Sequence, residues 1–302
     1  MAIPVRLLLK GKVKDVYEVS EGELEFQFSD RISVFDVIVP TRIPRKGEVL
    51  CRMGALWFNE LKDLGIRTHF IELKGPDRMR VRRTRVPKEY EGLPRSNYMI
   101  PVEWINRHYV AGSLHRRLQD GGIAPRSLGF ETDDVPAYGE MLPVPFFEQT
   151  TKFESHDRVI DREEAMNLSG MTEDEYNEVR DLVFMIDDLI ENRVKGADLT
   201  HVDGKKEFAF DGDRNLMVVD TFGTPDEDRF WQRSKMDEGM FIEMSKEPVR
   251  KYYESTGYLD DLTRARDKGM PDPPIPPLPD EEVESISGLY ADVYERITGE
   301  PL

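Results

Sequence analysis

The chain has 302 residues, of which 39% are hydrophobic and 33% charged; it is too long for a disulfide-stapled miniprotein and too apolar for a disordered tail. Cys51 is the only cysteine, which excludes an intramolecular disulfide and a cysteine-rich zinc site, and the five histidines show no metal-ligand spacing. A formal net charge of −17, with 59 acids and 42 bases spread along the chain, repels nucleic acid and anionic membrane alike.

The amino terminus, Met1 to Arg6, lacks the apolar core of a signal peptide, and no run approaches the roughly 18 to 20 apolar residues of a membrane span. A soluble, cytoplasmic protein of one domain, or of two smaller ones, is expected. Lys10 to Tyr17 sets Lys10, Lys12 and Lys14 at alternate positions around Gly11. On a strand the three lysines would share one face, either as a phosphate-covering turn or as a solvated edge strand kept from aggregating. Leu24 to Phe28, Thr68 to Leu73 and Met79 to Val81 alternate with period two and predict an antiparallel sheet, and Cys51 to Leu64 predicts a helix. A strand from Tyr98 through Ile105 to Val110 and a helix near Leu114 follow.

Asn106-Arg107-His108 leads into Ala111-Gly112-Ser113. Glycine, serine and a helix start beside an arginine suit an anion, although Ser113 would also serve as a simple N-cap. From Thr172 the period becomes helical: Thr172 and Glu175 fit a capping box, and Tyr176, Val179, Val183, Ile186 and Ile190 form a core stripe. Lys205 to Phe210 and Leu216 to Asp220 flank Asp211-Gly212-Asp213 as a β-hairpin. Asp203, Lys205 and Glu207 then point to one face. A hairpin centred between Asp213 and Arg214 sets Glu207 opposite Asp220, a repulsive pair unless a cation such as Mg2+ lies between them; the alternative is a pair of solvated surface acids. Thr224 to Trp231 reads as a turn projecting Asp226 and Arg229. Lys246 and Arg250, four apart, share a helix face that is either solvated or turned toward an anion. Residues 271–279 hold six prolines and form an extended strap before a terminal helix over Glu281 to Ile297.

In this order, Gly11 to Tyr17, Phe28-Ser29-Asp30-Arg31-Ile32-Ser33-Val34-Phe35-Asp36, Arg45-Lys46-Gly47, Pro101-Val102-Glu103, Arg107, Ala111 to Leu114, Thr151-Lys152, His156-Asp157, Asp203 to Phe208, Asp220 to Trp231 and Ser245 to Arg250 resemble the phosphoribosylaminoimidazole-succinocarboxamide synthase (SAICAR synthetase) family over nearly the whole chain. The resemblance implies an α+β, ATP-grasp-like fold. Residues 1–102 would form an antiparallel β-rich lobe covering ATP, residues 103–270 a larger catalytic lobe, and residues 271–302 the strap and last helix.

It also implies an ATP-dependent ligase that joins L-aspartate to the carboxylate of carboxyaminoimidazole ribonucleotide through an acyl phosphate, with Mg2+. Its partners would be these small molecules, without nucleic acid or membrane, and a homo-oligomer is compatible. By the same likeness Lys12 and Lys14 line the ATP phosphates, Met99 and Glu103 lie by the adenine, and Glu207 and Asp220 hold the metal. Arg107, Ser113 and Arg229 bind the nucleotide's phosphate, with Lys246 and Arg250 near a substrate anion. Asp203 and Lys205, taken as catalytic, and Asp226 surround the imidazole, carboxylate or ribose.

Three positions depart from the family pattern. Thr221 stands where glutamate is common, which removes a charge a second metal would use; Ala209 replaces a glycine, and Ser245 an aspartate. A protein kinase and an inactive nucleotide-binding protein are the competing readings, the first opposed by the absence of His-Arg-Asp and Asp-Phe-Gly motifs. Only 15 of the basic residues are lysine, and so acid-rich and lysine-poor a surface suits high salt.

Overall fold

The computed structural model describes residues 5–87, 92–154 and 157–302. His156 of the sequence motif lies outside them. In chain order come β1 (Arg6–Lys10), β2 (Lys14–Ser20), β3 (Glu23–Phe28), β4 (Arg31–Val34), β5 (Val37–Arg42), α1 (Lys46–Asp63), β6 (Phe70–Gly75), β7 (Arg78–Arg82), β8 (Tyr98–Tyr109) and α2 (Gly112–Gln119). Then follow β9 (Met141–Thr151), β10 (Val159–Ile160), α3 (Arg162–Ser169), α4 (Glu173–Lys195), β11 (Leu199–Phe210), β12 (Leu216–Val219), β13 (Asp228–Gln232), α5 (Arg233–Met236), α6 (Glu247–Ser255), α7 (Tyr258–Asp267) and α8 (Asp280–Thr298).

Two antiparallel sheets carry the architecture. The first has the order β1-β2-β3-β7-β6; the second runs β10-β9-β8-β11-β12, with β13 also paired to β11, and β4-β5 forms a separate ribbon. The alternation of Glu23–Phe28 turns Phe26 and Phe28 inward, where Val49, Met53, Trp57 and Leu61 of α1 meet them. The longer strands β8 and β11 are buried along almost their whole length, so their apolar side chains pack on both faces and clean alternation is lost. Helix α4 crosses these two strands. Its capping box is complete, Thr172 Oγ1 accepting from Glu175 N–H and Glu175 accepting from Thr172 N–H. One core cluster runs from Phe26 in the first sheet to Ile297 in the last helix.

The proline-rich segment after α7 is extended and held by particular contacts. Tyr258 and Tyr253 donate their hydroxyls to the carbonyls of Pro273 and Pro276, and Thr41 Oγ1 accepts from Leu278 N–H. Ile275 and Leu278 are buried, which fixes the strap against the body before α8 begins.

Several local expectations change. Lys10, Lys12 and Lys14 do not share a face, because the chain turns between β1 and β2: Gly11 N–H donates to the Lys14 carbonyl at 3.0 Å. A Cβ at Gly11 would lie 2.5 Å from that carbonyl oxygen, so the turn requires glycine. Helix α1 starts at Lys46, ahead of the expected Cys51. The β11-β12 hairpin pairs Glu207 with Val219, not Asp220, because its loop takes five residues, 211–215. Asp211 accepts from the N–H groups of Asp213 and Asn215, and Arg214 is left-handed at φ 64°. Such a one-residue shift turns a strand residue to the other face. Asp220 escapes that outcome by leaving the strand at φ 58°.

Candidate active site

Strand β11 organises the site. Its neighbour β8 pairs Asp203 with Arg107, and β13 on the other side pairs Asp203 with Arg229. Arg229 thus lies on a strand and not in the expected turn, which is confined to the residues before Asp228. Both guanidiniums reach Asp203 Oδ2, Arg107 at 3.3 Å and Arg229 more closely. Arg107 also donates to Glu148 at 2.7 Å and to Ser113 Oγ at 3.1 Å. Arg229 donates to Glu247 at 2.9 Å, and Arg250 reaches the same carboxylate at 2.7 Å. Burial works against the charge of Arg229, but Asp203, Glu247 and Glu243 outweigh it and raise its pKa.

These arginines stand at the amino end of α2. The N-cap is Ala111, with Ser113 inside the first turn, which replaces the reading of Ser113 as a cap. Gly112 has φ 51°, and a Cβ there would lie 2.6 Å from Arg229 Nη2. Glycine therefore admits the guanidinium against the helix start, where free backbone N–H groups and the helix dipole favour an anion. Ile105, Arg107, Ser113, Asp203, Lys205, Asp226, Arg229 and Arg250 line a cleft of about 260 Å³. A second cleft of about 590 Å³ shares Ser113, Lys205, Asp226 and Arg250 and adds Lys12, Glu103, Lys152 and Lys246.

The shared face predicted for Asp203, Lys205 and Glu207 is present. Lys205 Nζ contacts Glu103 at 2.8 Å and Glu207 and Glu227 at 3.4 Å each. Burial opposes its charge, yet these carboxylates hold its pKa well above the ordinary value. Glu103, whose pKa burial raises, also pairs with Lys152 at 3.5 Å. Met99, four residues upstream on β8, packs with Ala209, Met217 and Val219.

Glu207 and Asp220 each face a lysine. Lys152 Nζ lies 2.6 Å from Glu207 Oε2, but leaves that buried oxygen without a directed hydrogen bond. Lys14 pairs with Asp220, whose Oδ1 also accepts from Thr221 N–H at 2.6 Å. Burial raises the pKa of both acids and Asp220 adds to that at Glu207. The lysines prevail, Lys152 at Glu207 and Lys14 with Lys152 at Asp220, and both acids stay ionised. Two hard oxygen donors with ammonium groups standing against them, one oxygen lacking a directed partner, fit Mg2+. The Thr221 methyl group lies against α1, where a Cβ at Gly54 would be 2.6 Å from it. Lys12 pairs with Asp36 at 2.7 Å.

Other functional neighbours are given no role by the sequence reading, although Lys46, Lys206 and Asp228 fall within its motifs. Lys46, fully buried, binds Asp226 at 2.8 Å, and Tyr290 of α8 binds the same carboxylate. Behind β11, buried Lys206 is held between Asp187 of α4 and Asp228, the latter at 3.1 Å. Asp228 also meets His201 at 2.7 Å and accepts from Gly223 N–H at 2.7 Å. A Cβ at Gly204 would lie 1.8 Å from Asp228 Oδ2, which accounts for glycine between Asp203 and Lys205. The histidines, expected to offer no metal arrangement, are partly gathered by the fold: ligand atoms of His108, Asp187 and His201 lie within 4.8 Å of one another. There the ammonium of Lys206 already supplies a cation to Asp187.

The sequence profile described as SAICAR synthetase matches residues 7–265. The phosphoribosylaminoimidazole-succinocarboxamide synthase of Thermoplasma acidophilum is 50% identical over 98% of this chain and 99% of its own. The namesake protein of Nitrosopumilus maritimus is 34% identical over 99% of this chain and 100% of its own. Among solved structures, the SAICAR synthase from Saccharomyces cerevisiae complexed with SAICAR superposes with a TM-score of 0.75 at 23% identity, covering 99% of this chain and 96% of that one. A SAICAR synthetase in complex with ADP gives 0.70 at 24% identity, covering 97% and 98%. At these identities the structures establish a shared fold.

Proposed function

This chain belongs to the SAICAR synthetase family, and we propose that it joins L-aspartate to the carboxylate of carboxyaminoimidazole ribonucleotide, consuming ATP and releasing ADP and phosphate. A carboxylate is a poor electrophile and its oxygen a poor leaving group. Transfer of the γ-phosphoryl group to a carboxylate oxygen forms an acyl phosphate and ADP. The aspartate amine, once deprotonated, attacks the acyl carbon; the C–O bond breaks to release phosphate, which carries off the proton that the nitrogen loses as the amide forms.

The observation that carries this reading is the anion-binding start of α2, with Arg107, Ser113 and Arg229, on the same strand pair as the carboxylates and lysines around Lys205. We assign the nucleotide's phosphate to that start and the ATP phosphates to Lys12 and Lys14. Protonated Lys205 faces the reacting carboxylate, beside Asp203 and Asp226. Lys246, whose pKa burial lowers, and Arg250 face a substrate anion across the shared cleft. Met99 and Glu103 mark the strand along which the adenine lies, between a covering lobe of residues 1–102 and a catalytic lobe of residues 103–270. Glu207 and Asp220 would hold Mg2+, which when bound withdraws charge from phosphate oxygens. The chain's own groups bind and orient the three anionic substrates, so the entropy of bringing them together is met by binding.

Among the described residues no helix is long and apolar enough to cross a membrane; a cytoplasmic location accords with phosphorylated substrates that do not cross membranes. The test is ADP release with each substrate omitted in turn. ADP formation should require ATP, magnesium, the carboxylated ribonucleotide and L-aspartate together. Full-rate ADP release without aspartate would overturn the ligase reading in favour of a kinase.

A further inference from the structure

The family match ends at residue 265, yet α8, which begins fifteen residues beyond that point at Asp280, sends a side chain to the wall of the site. Tyr290 is fully buried and donates its hydroxyl to Asp226 Oδ1 at 2.5 Å. The other oxygen, Oδ2, accepts from Lys46 Nζ at 2.8 Å, and Lys46 is fully buried in the first turn of α1. The ammonium also lies 5.8 Å from the centre of the Tyr290 ring. The three groups close a triangle between α1, α8 and the loop joining β12 to β13.

A purely structural junction has little use for these groups. Burying a lysine, a carboxylate and a phenol is costly, and an apolar trio would hold two helices and a loop as well. Asp226 lines both clefts, whereas Lys46 and Tyr290 line neither. The carboxylate is therefore gripped from behind in a residue that borders both clefts; its side chain is only 1% exposed, and each of its oxygens keeps a further lone pair for another donor. Lys246 Nζ, 3.6 Å from Oδ2, adds charge from the substrate side.

We propose that Tyr290 and Lys46 are positioning residues that fix the rotation of the Asp226 carboxylate, so that its remaining lone pairs meet an O–H or N–H donor of the imidazole ribonucleotide. The last helix is on this account part of the active site. The proposal rests on reading Asp226 as a contact to that nucleotide. Burial and the neighbouring carboxylate raise the phenol's pKa well above its usual value, so Tyr290 remains a donor. Burial opposes the charge of Asp226, but Lys246 and Lys46 hold its pKa far below the carboxylate range, so it remains an acceptor.

Steady-state kinetics of Tyr290→Phe, Asp226→Asn and Tyr294→Phe test it. Tyr294, one turn further along α8, is buried and its hydroxyl lies 3.4 Å from Glu300, away from Asp226; it controls for lost packing. Tyr290→Phe should raise the KM for the imidazole ribonucleotide about tenfold, the loss expected when a hydrogen bond to a charged group no longer orients it. The KM for ATP should stay within about twofold, and Tyr294→Phe should leave both unchanged. If Asp226→Asn raises the ribonucleotide KM and Tyr290→Phe only lowers the melting temperature as Tyr294→Phe does, the positioning role is wrong while the Asp226 contact stands. If Asp226→Asn leaves that KM unchanged, the underlying contact falls and the proposal with it. Lys46→Arg reads the other arm by calorimetry: lost ribonucleotide affinity with intact ADP affinity supports the clamp, and unchanged ribonucleotide affinity overturns it.

Discussion

Glu207 is buried and Asp220 half-buried, and lysines keep both ionised, Lys152 and Lys205 at Glu207 and Lys14 with Lys152 at Asp220. Replacing either carboxylate by its amide keeps the shape and removes the charge a hard cation prefers. Changes outside the first coordination sphere already cost about 10- to 100-fold in metal affinity or activity. Glu207→Gln and Asp220→Asn should therefore each lower turnover at limiting magnesium by about 100-fold or more while the protein stays folded. Wild-type rates for both variants across a magnesium titration would remove the metal from this pair. The inward-facing Thr221 predicts a hyperbolic magnesium dependence, as for one ion, in the same titration. At this scale the sequence names acids, lysines and arginines readily, because charged residues at regular spacing in an acidic chain are conspicuous. It gives no role to Lys46, which it quotes only within Arg45-Lys46-Gly47, and does not single out Tyr290. Their partner Asp226 is 180 and 64 residues away, respectively, and nothing local distinguishes a buried lysine or tyrosine from a surface one.

Helix α2 has eight residues, and what it does depends on how it begins. Gly112 allows both the left-handed start and the approach of Arg229. Gly112→Ala adds a Cβ in the strained region of backbone space and pushes it into the guanidinium. The variant should raise the KM for the imidazole ribonucleotide by about tenfold or more, since a charge-assisted contact is worth about 1.5 to 3 kcal/mol, and it should leave the KM for ATP nearly unchanged. Equal effects on both constants would show that α2 serves no particular substrate.

Elements with local signals agree with the sequence reading: α4 has its capping box and stripe, β3 its alternation, the strap its prolines. Strand β9 carries no such pattern, and the alternation in β4 spans only four residues, too few to mark the β4-β5 ribbon. Strand β13 reads as a turn because four polar or turn-forming residues, Thr224 to Glu227, precede it, and its strand identity comes from pairing with β11. The hairpin register slips by one because Asp211 and Arg214 enlarge the loop, a choice made by side-chain hydrogen bonds that strand periodicity does not encode.

The whole molecule carries 59 acids against 42 bases, and its internal ion pairs leave the excess negative charge on the surface. Self-repulsion should destabilise the compact state in dilute buffer and subside at about 1 M salt, where the screening length is about 3 Å. The melting temperature should therefore rise with potassium or sodium chloride into the molar range. On the proposed assignment of Arg107 and Arg229 to its phosphate, the KM for the ribonucleotide should also rise, as salt weakens that attraction. A melting temperature that falls steadily from dilute buffer to molar chloride would refute the salt-adapted reading.

The strap gives the molecule one more property. Met270 to Pro274 are largely exposed, whereas Ile286, Tyr290, Val293, Tyr294 and Ile297 beyond them belong to the same core as the first sheet. Chain continuity and cohesion therefore part company at this point. A protein nicked within the strap would be two polypeptides by mass yet one body in solution, its last helix retained by burial without a covalent link.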